Sequence, residues 1–214
     1  MVVLGIDPSL TGLGWCVHDG RALGKERVVA KGRVGTPSTK NFVWRNRFLR
    51  DYIHQLLVDH PVEAVGSESP PFGESFSEGL YGLFVYVNEA IYLHRKDVVY
   101  FDPGRVKLLA KMDPGVRKGK MDKVDMVEAA KAETGIKRWS HDEADAYIVA
   151  RSTARFWDLF HGRIMEDDLT PSERQTFLAI HTFERGKNKG KTVRKGILYK
   201  EGDRFYRWSL LTEV

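Results

Sequence analysis

One stretch near the N-terminus constrains this chain more than any other: Val2-Val3-Leu4-Gly5-Ile6-Asp7-Pro8-Ser9-Leu10-Thr11-Gly12-Leu13-Gly14-Trp15-Cys16-Val17. An apolar, β-type run stops at one carboxylate, turns through Pro8 to Gly14, and resumes as a second apolar run. The pattern predicts a hairpin whose first strand delivers Asp7 at its end, beside a glycine-rich turn. A carboxylate so placed is a metal ligand, a phosphate-site residue, or a turn Asp that caps backbone amides. This stretch alone leaves the choice open. Two later segments shift it. Glu68 ends a second short apolar run over residues 62–67, and Asp142 and Asp145 stand three apart at the start of a helical pattern. An i,i+3 pair shares one helix face.

The 214 residues suit one sizeable domain, or one domain plus an appended module. No apolar run approaches the roughly 18–20 residues of a membrane span, and the N-terminus lacks a signal-peptide pattern. Cys16 is the lone cysteine, which excludes an intramolecular disulfide and reads as a small core residue within a strand. We therefore expect a cytoplasmic protein with no membrane role. Charge is unevenly spread. Residues 185–207 hold nine Lys/Arg against two acids, a local charge of about +7 that leaves about −2 elsewhere. Affinity for polyanions is expected to concentrate at the C-terminal end.

In chain order the pattern predicts strands over 2–7, 13–18 and 27–34, then an amphipathic helix over 41–60 with Phe42, Val43, Phe48, Leu49, Ile53, Leu56 and Leu57 on its apolar positions. Arg45, Arg47 and Arg50 fall on its exposed face, which is a solvated face or a DNA-contacting one. A strand over 62–67 and an irregular loop carrying Phe72 and Phe76 follow; those rings are core anchors or stacking platforms for bases. Residues 77–94 read as a helix rich in aromatics, suited to a core or a dimer surface. A strand at 97–101 leads into a short segment at 106–111. The polar run Arg117-Lys118-Gly119-Lys120, with Lys123 near it, is a loop or a phosphate-contacting segment. Helices are predicted over 122–134, over 141–160 with Ser140 as N-cap, and from a Thr170/Glu173 capping box to about 183. Residues 192–200 and 204–210 are expected to form a β-hairpin in which Phe205, Tyr206 and Trp208 interleave with arginines, and this basic region, Arg194 and Lys195 included, reads as a small DNA-binding module or as an edge hairpin that merely packs on the core. We place a boundary near residues 160–168, giving one domain over 1–160 and a basic helix-plus-hairpin extension over 161–214.

The order β-β-β-α-β-α-β-α-α predicts an α/β fold, a mixed five-stranded sheet with helices on both faces, plus the small α+β extension. Asp7, Glu68, Asp142 and Asp145 then converge. Four carboxylates this close require cations. Oxygen ligands with open positions favour Mg²⁺, with Mn²⁺ as substitute. Two ions ~3.5–4 Å apart suit in-line attack of water on a phosphodiester.

The segments GIDPSLTGLGW, VGSESP and HDEADAYIVAR, in this order and spacing, resemble the RuvC family of Holliday junction resolvases over about residues 1–157. The resemblance implies a ribonuclease H-like fold, a homodimer, and Mg²⁺-dependent symmetric nicking of four-way DNA junctions with two ions per site. Asp7 matches the first-strand carboxylate, Glu68 the fourth-strand glutamate, and Asp142 and Asp145 the helix pair. Lys107, Lys118 and Lys120 are similar in placement to the family's basic active-site residues, and Phe72 and Phe76 to its aromatic loop residue. The sequence departs from the family where a lysine is expected three residues before Val124 and Met121 stands; Lys120, assigned the catalytic role, or Lys123 substitutes. The Pro70-Pro71 insertion shifts the aromatic register. The basic extension, outside the family core, suits a phage-encoded member working in a host cytoplasm.

His141 directly precedes the helix acids and reads as a metal ligand, a general base, or, since Asp142 already fills the matched position, a supporting or capping-region residue. His18, His54, His60, His94, His161 and His181 show no ligand spacing and read as structural. Three other readings share parts of this pattern. An actin-like ATPase shares the first hairpin but needs two lobes. A broader nuclease of flaps, forks and other branches would share the same chemistry. A non-catalytic branched-DNA binder has no physical reason to keep four clustered acids.

Overall fold

The computed structural model describes residues 1–69, 78–111 and 122–178 in full, and beyond them the backbone of four short strands between 180 and 208. Strands β1 (Val2–Asp7), β2 (Leu13–Asp19) and β3 (Val28–Val34) form an antiparallel meander. Helix α1 (Phe42–Asp59) then crosses to β4 (Ala64–Glu68), which pairs parallel to β1, and α2 (Glu78–Leu93) leads to β5 (Asp97–Phe101), parallel to β4. Helices α3 (Pro103–Ala110), α4 (Lys123–Thr134), α5 (His141–Phe160) and the short α6 (Pro171–Phe177) follow. Strands β6 (Ile180–Thr182) and β7 (Thr192–Arg194) pair with each other, and β8 (Ile197–Glu201) pairs with β9 (Arg204–Trp208) and with β5. The expected mixed sheet of five strands is present in the order β3-β2-β1-β4-β5, and the β8–β9 hairpin extends it to seven among the described residues.

Each strand is sorted by its period of two. Leu4, Ile6, Val17, Val65 and Val98 face α1 and α2, which supply Leu49, Ile53, Leu83 and Val87. Cys16, Ala64, Val99 and Phe101 face the other way, against Tyr147, Val149 and Phe156 of α5, with Met126 of α4 and Val106 of α3. Helices therefore cover both faces, and α5 is the central one.

Three local expectations are corrected. The helix expected to reach 183 stops at Phe177, and the β-branched Ile180 and Thr182 enter a strand instead, in keeping with their stiff side chains. Phe42, Val43 and Phe48 are exposed in the first turns of α1, while Leu49, Ile53, Leu56 and Leu57 are buried; periodicity names a face, but only a facing element buries it. Arg45 is not on the solvated face. It is half-buried and donates from Nε to Thr36 Oγ1 and from Nη2 to the Leu10 carbonyl, fixing the turn that follows Asp7.

Residues past 160 also join the main core. Leu169 and Phe177 are buried within it, and Arg155 of α5 donates from Nε to Glu173 of α6 at 3.1 Å. Among the described residues, no helix is long and apolar enough to cross a membrane.

Candidate active site

Alternation along β1 puts Val3, Gly5 and Asp7 on the face that meets α5, and along β4 it does the same for Ala64, Gly66 and Glu68. The parallel register, with Ile6 opposite Ser67, brings the ends of the two strands side by side, so Asp7 and Glu68 project from neighbouring positions. On the other side of β1, Asp7 is opposite Gly14, and Gly14 is opposite Arg33 of β3. A row Arg33, Gly14, Asp7, Glu68 thus crosses one end of the sheet.

Two glycines let α5 come down on this row. A Cβ on Gly5 would collide with the Ala146 carbonyl and the Ala150 backbone nitrogen, and one on Gly14 would collide with the Asp142 carbonyl. Close backbone approach of this kind is what a strand glycine permits. The start of α5 is itself fixed by a reciprocal cap: Ser140 Oγ accepts from the Glu143 N–H, and Glu143 Oε2 accepts from the Ser140 N–H. Lys31 of β3 pairs with Glu143 at 3.1 Å and lies over the Trp139 ring. Burial pushes the Glu143 carboxyl up, but the bonds from Ser140 and Lys31 outweigh it and hold it below the usual range.

The four acids act on one another. Burial, then Asp145 and Asp142, pushes Asp7 up to about 7 against the opposing Lys123. Burial, then Asp7 and Asp145, drives Glu68 well above the usual range, with Lys107 opposing. Asp145 is pushed up to about 6, first by burial and then by Asp142, against Lys107, Lys123 and His141. Oδ1 of Asp145 is buried with no hydrogen-bond partner among the described residues. A buried carboxylate oxygen without a donor is costly, and a cation is the natural group to satisfy it. The donor set, carboxylate oxygens alone, fits a hard divalent ion. Among the described residues no three His, Cys, Asp or Glu side chains are closed around one point as a finished cage. The Asp142 carboxylate is instead turned toward Arg33, whose Nε donates to its Oδ2.

Of the basic residues expected from the sequence, Lys107 on α3 and Lys123 at the start of α4 both oppose the raised carboxyls. Phe72, Phe76, Arg117, Lys118, Lys120 and Lys195 lie outside the described residues, as does the side chain of Arg194. His141 is exposed and its Nδ1 shares a hydrogen bond with the Lys123 carbonyl at 2.9 Å, tying α5 to α4. Cys16 is wholly buried and burial pushes its thiol up, so it is no nucleophile. His18 is buried against Tyr147, and burial lowers it to about 4.

Sequence reasoning missed Arg33 here and misplaced Arg45. The available signal for Arg33 was its place at the end of a strand opposite Gly14; nothing local marked Arg45.

This geometry can be compared with solved structures. The RuvC of Thermus thermophilus in complex with a Holliday junction substrate aligns with a TM-score of 0.61 at 20% identity, covering 74% of this chain and 96% of that one. A second T. thermophilus RuvC structure gives a TM-score of 0.60 at 23% identity, covering 75% and 97%. The chain has the RuvC fold. No protein-family model matches the chain, and no curated protein matches it. Identity this low speaks to the fold, which in RuvC and here is ribonuclease H-like.

Proposed function

We propose that this chain is a divalent-metal-dependent endonuclease that cuts four-way DNA junctions by paired, symmetric phosphodiester hydrolysis. The observation that carries this reading is the convergence of Asp7, Glu68, Asp142 and Asp145 at one end of the sheet, three of them with raised pKa and one with an orphaned buried oxygen. Asp7, Glu68, Asp145 and Asp142 would hold Mg²⁺ or Mn²⁺, two ions per site, which when bound polarise a phosphoryl oxygen and lower the pKa of water. Lys107 and Lys123 offset the acids so that a phosphate backbone can approach. Lys120, Arg117, Lys118, Phe72 and Phe76 are assigned to the DNA surface on the strength of the sequence. The products would be 5′-phosphate and 3′-hydroxyl ends.

A junction with two-fold symmetry calls for a two-fold dimer. Val85 and Leu93, large apolar side chains exposed on α2, belong to the surface we assign to the second copy. The T. thermophilus RuvC bound to a Holliday junction supports junction DNA as the partner. The test is cleavage of a synthetic four-way junction, a flap, a fork and a linear duplex in Mg²⁺ and in EDTA. Paired symmetric nicks in the junction alone are the expected result. Cutting of every branched substrate would make it a general debranching nuclease, and binding without cleavage in either ion would end the enzyme reading.

The basic extension is proposed as a second DNA contact. Because α6 contributes Phe177 and Glu173 to the main body, the informative truncation ends at residue 178 rather than 160. Removing 179–214 is expected to weaken junction binding at least about tenfold and to flatten its salt dependence by about 0.9 per lost phosphate contact. Unchanged affinity and slope, with the melting transition intact, would remove the extension from the DNA interface.

A further inference from the structure

We propose that Arg33 is a positioning residue that holds Asp142 back from the metal site, so that the DNA-free protein binds its Asp142-dependent ion weakly. The inference rests on the metal-nuclease reading above and adds a residue to it.

The guanidinium sits in a built seat. Nε donates to Asp142 Oδ2, and Nη2 donates to the Thr11 carbonyl at 3.2 Å. The group lies over Gly12, where a Cβ would collide with Nη2, so a side chain at position 12 would evict it. The carbonyl it grips belongs to a turn that cannot drift. Thr36 donates to the Leu10 carbonyl from both its N–H and its hydroxyl, and Arg45 donates to that same oxygen. Across the sheet, Arg33 stands opposite Gly14, whose missing side chain leaves room for the Asp142 backbone of α5 to come down on the sheet beside it.

This arrangement has a chemical consequence. Arginine does not lose its proton in proteins, so the positive charge that Arg33 sets beside Asp142 is permanent. An ion that takes Asp142 Oδ2 as a ligand competes with a charge-assisted hydrogen bond, among the stronger kind, and one that takes Oδ1 meets a carboxylate held toward Arg33 and next to its positive charge. Asp7, Glu68 and Asp145 carry no such bond from Arg33; among the described residues it donates only to Asp142 and Thr11. The four acids are therefore unequal: three are available to a first ion, and the fourth is held in reserve. Lysine at this position would keep the charge but not the fork that grips two acceptors at once.

The test is a Mn²⁺ titration of the full-length, DNA-free protein, followed by the paramagnetic resonance signal of free Mn²⁺. Wild type, Arg33→Gln, Arg33→Lys, Asp142→Asn and the double variant Arg33→Gln/Asp142→Asn are compared. Arg33→Gln is expected to tighten the weaker class of sites by about tenfold, the scale of one hydrogen bond to a charged group. Arg33→Lys should fall between it and wild type. With Asn at 142 most of that gain should vanish. Equal Mn²⁺ binding in wild type and Arg33→Gln would overturn the proposal, as would the same gain with Asn at 142, which would mark a diffuse charge effect. Thermal melts check that Arg33→Gln folds, and if it does not, Arg33→Lys carries the comparison. Failure of the nuclease reading looks different: wild type would bind no Mn²⁺, or would bind it with no loss on Asp7→Asn.

Discussion

Replacing Asp7 by Asn is expected to lower junction cleavage in Mg²⁺ by at least about a thousandfold, and at the same time to make the metal-free protein more stable at pH 8. The two effects share one cause. Asp7 stands between Glu68 on the next strand and the two acids of α5, and burial and those neighbours push its pKa up to about 7. A carboxyl with a raised folded-state pKa binds its proton more tightly folded than unfolded. The stability it contributes is complete below the ordinary carboxylate range and is lost as pH rises through the folded value. For Asp145 and Asp7 that window closes near pH 6 and pH 7, and Glu68 shifts in the same direction. Wild type in EDTA should therefore melt at a lower temperature at pH 8 than at pH 5. Millimolar Mg²⁺ or Mn²⁺ should restore the difference by binding the folded state. Asp7→Asn should melt at least about 3 °C above wild type in EDTA at pH 8 and should respond little to the ion. A variant that is inactive but no more stable would mean that the acids do not share one electrostatic neighbourhood.

The second large effect lies away from the site. Glu133→Ala is expected to destabilise the fold by about 3–5 kcal/mol, measured by urea unfolding. Glu133 on α4 accepts from Arg151 Nη1 of α5 at 2.6 Å and from Arg27 Nη1 at 3.0 Å, while Arg151 Nη2 donates to the Leu109 carbonyl of α3 at 2.6 Å. Both Glu133 and Arg151 are almost fully buried. Removing the carboxylate leaves a buried guanidinium with one partner fewer, and the cost is that of an uncompensated charge. Glu128→Ala supplies the contrast. Its ion pair with Lys131 is exposed, and its loss should change stability by no more than about 1 kcal/mol. Equal effects from the two substitutions would show that the buried network does not hold the helices together.

The four acids were legible in the sequence because each sits where a local pattern ends. A β run stops at Asp7 and another at Glu68, and Asp142 and Asp145 open a capped helix with i,i+3 spacing. Periods of two and 3.6 are properties of neighbouring residues, so a few residues suffice to reveal them. The same locality explains the errors. The exposed Phe42, Val43 and Phe48 obey the helical period, but burial requires a partner element that the period does not name. A capping box at Thr170 and Glu173 marks where α6 starts and not where it ends, whereas β6 exists by pairing with β7 ten residues downstream.

What the sequence determined by itself was therefore the five strands of the mixed sheet, the long helices that cover both its faces, and the acids that end its elements; helix α3, and the division of 192–200 into β7 and β8 with different partners, come only from the structure. Only the tertiary structure decided how those acids are poised. Arg33 and Asp142 are separated by 109 positions in the chain, and their contact depends on strand register and on the missing side chains of Gly5 and Gly14. Turn chemistry marked the hairpin; the same glycines' role as the floor under α5 depends on a helix encoded more than a hundred residues later. The pKa shifts of Asp7, Glu68 and Asp145 likewise arise from burial and from one another. Charge and desolvation act through space, and only the folded chain sets those distances.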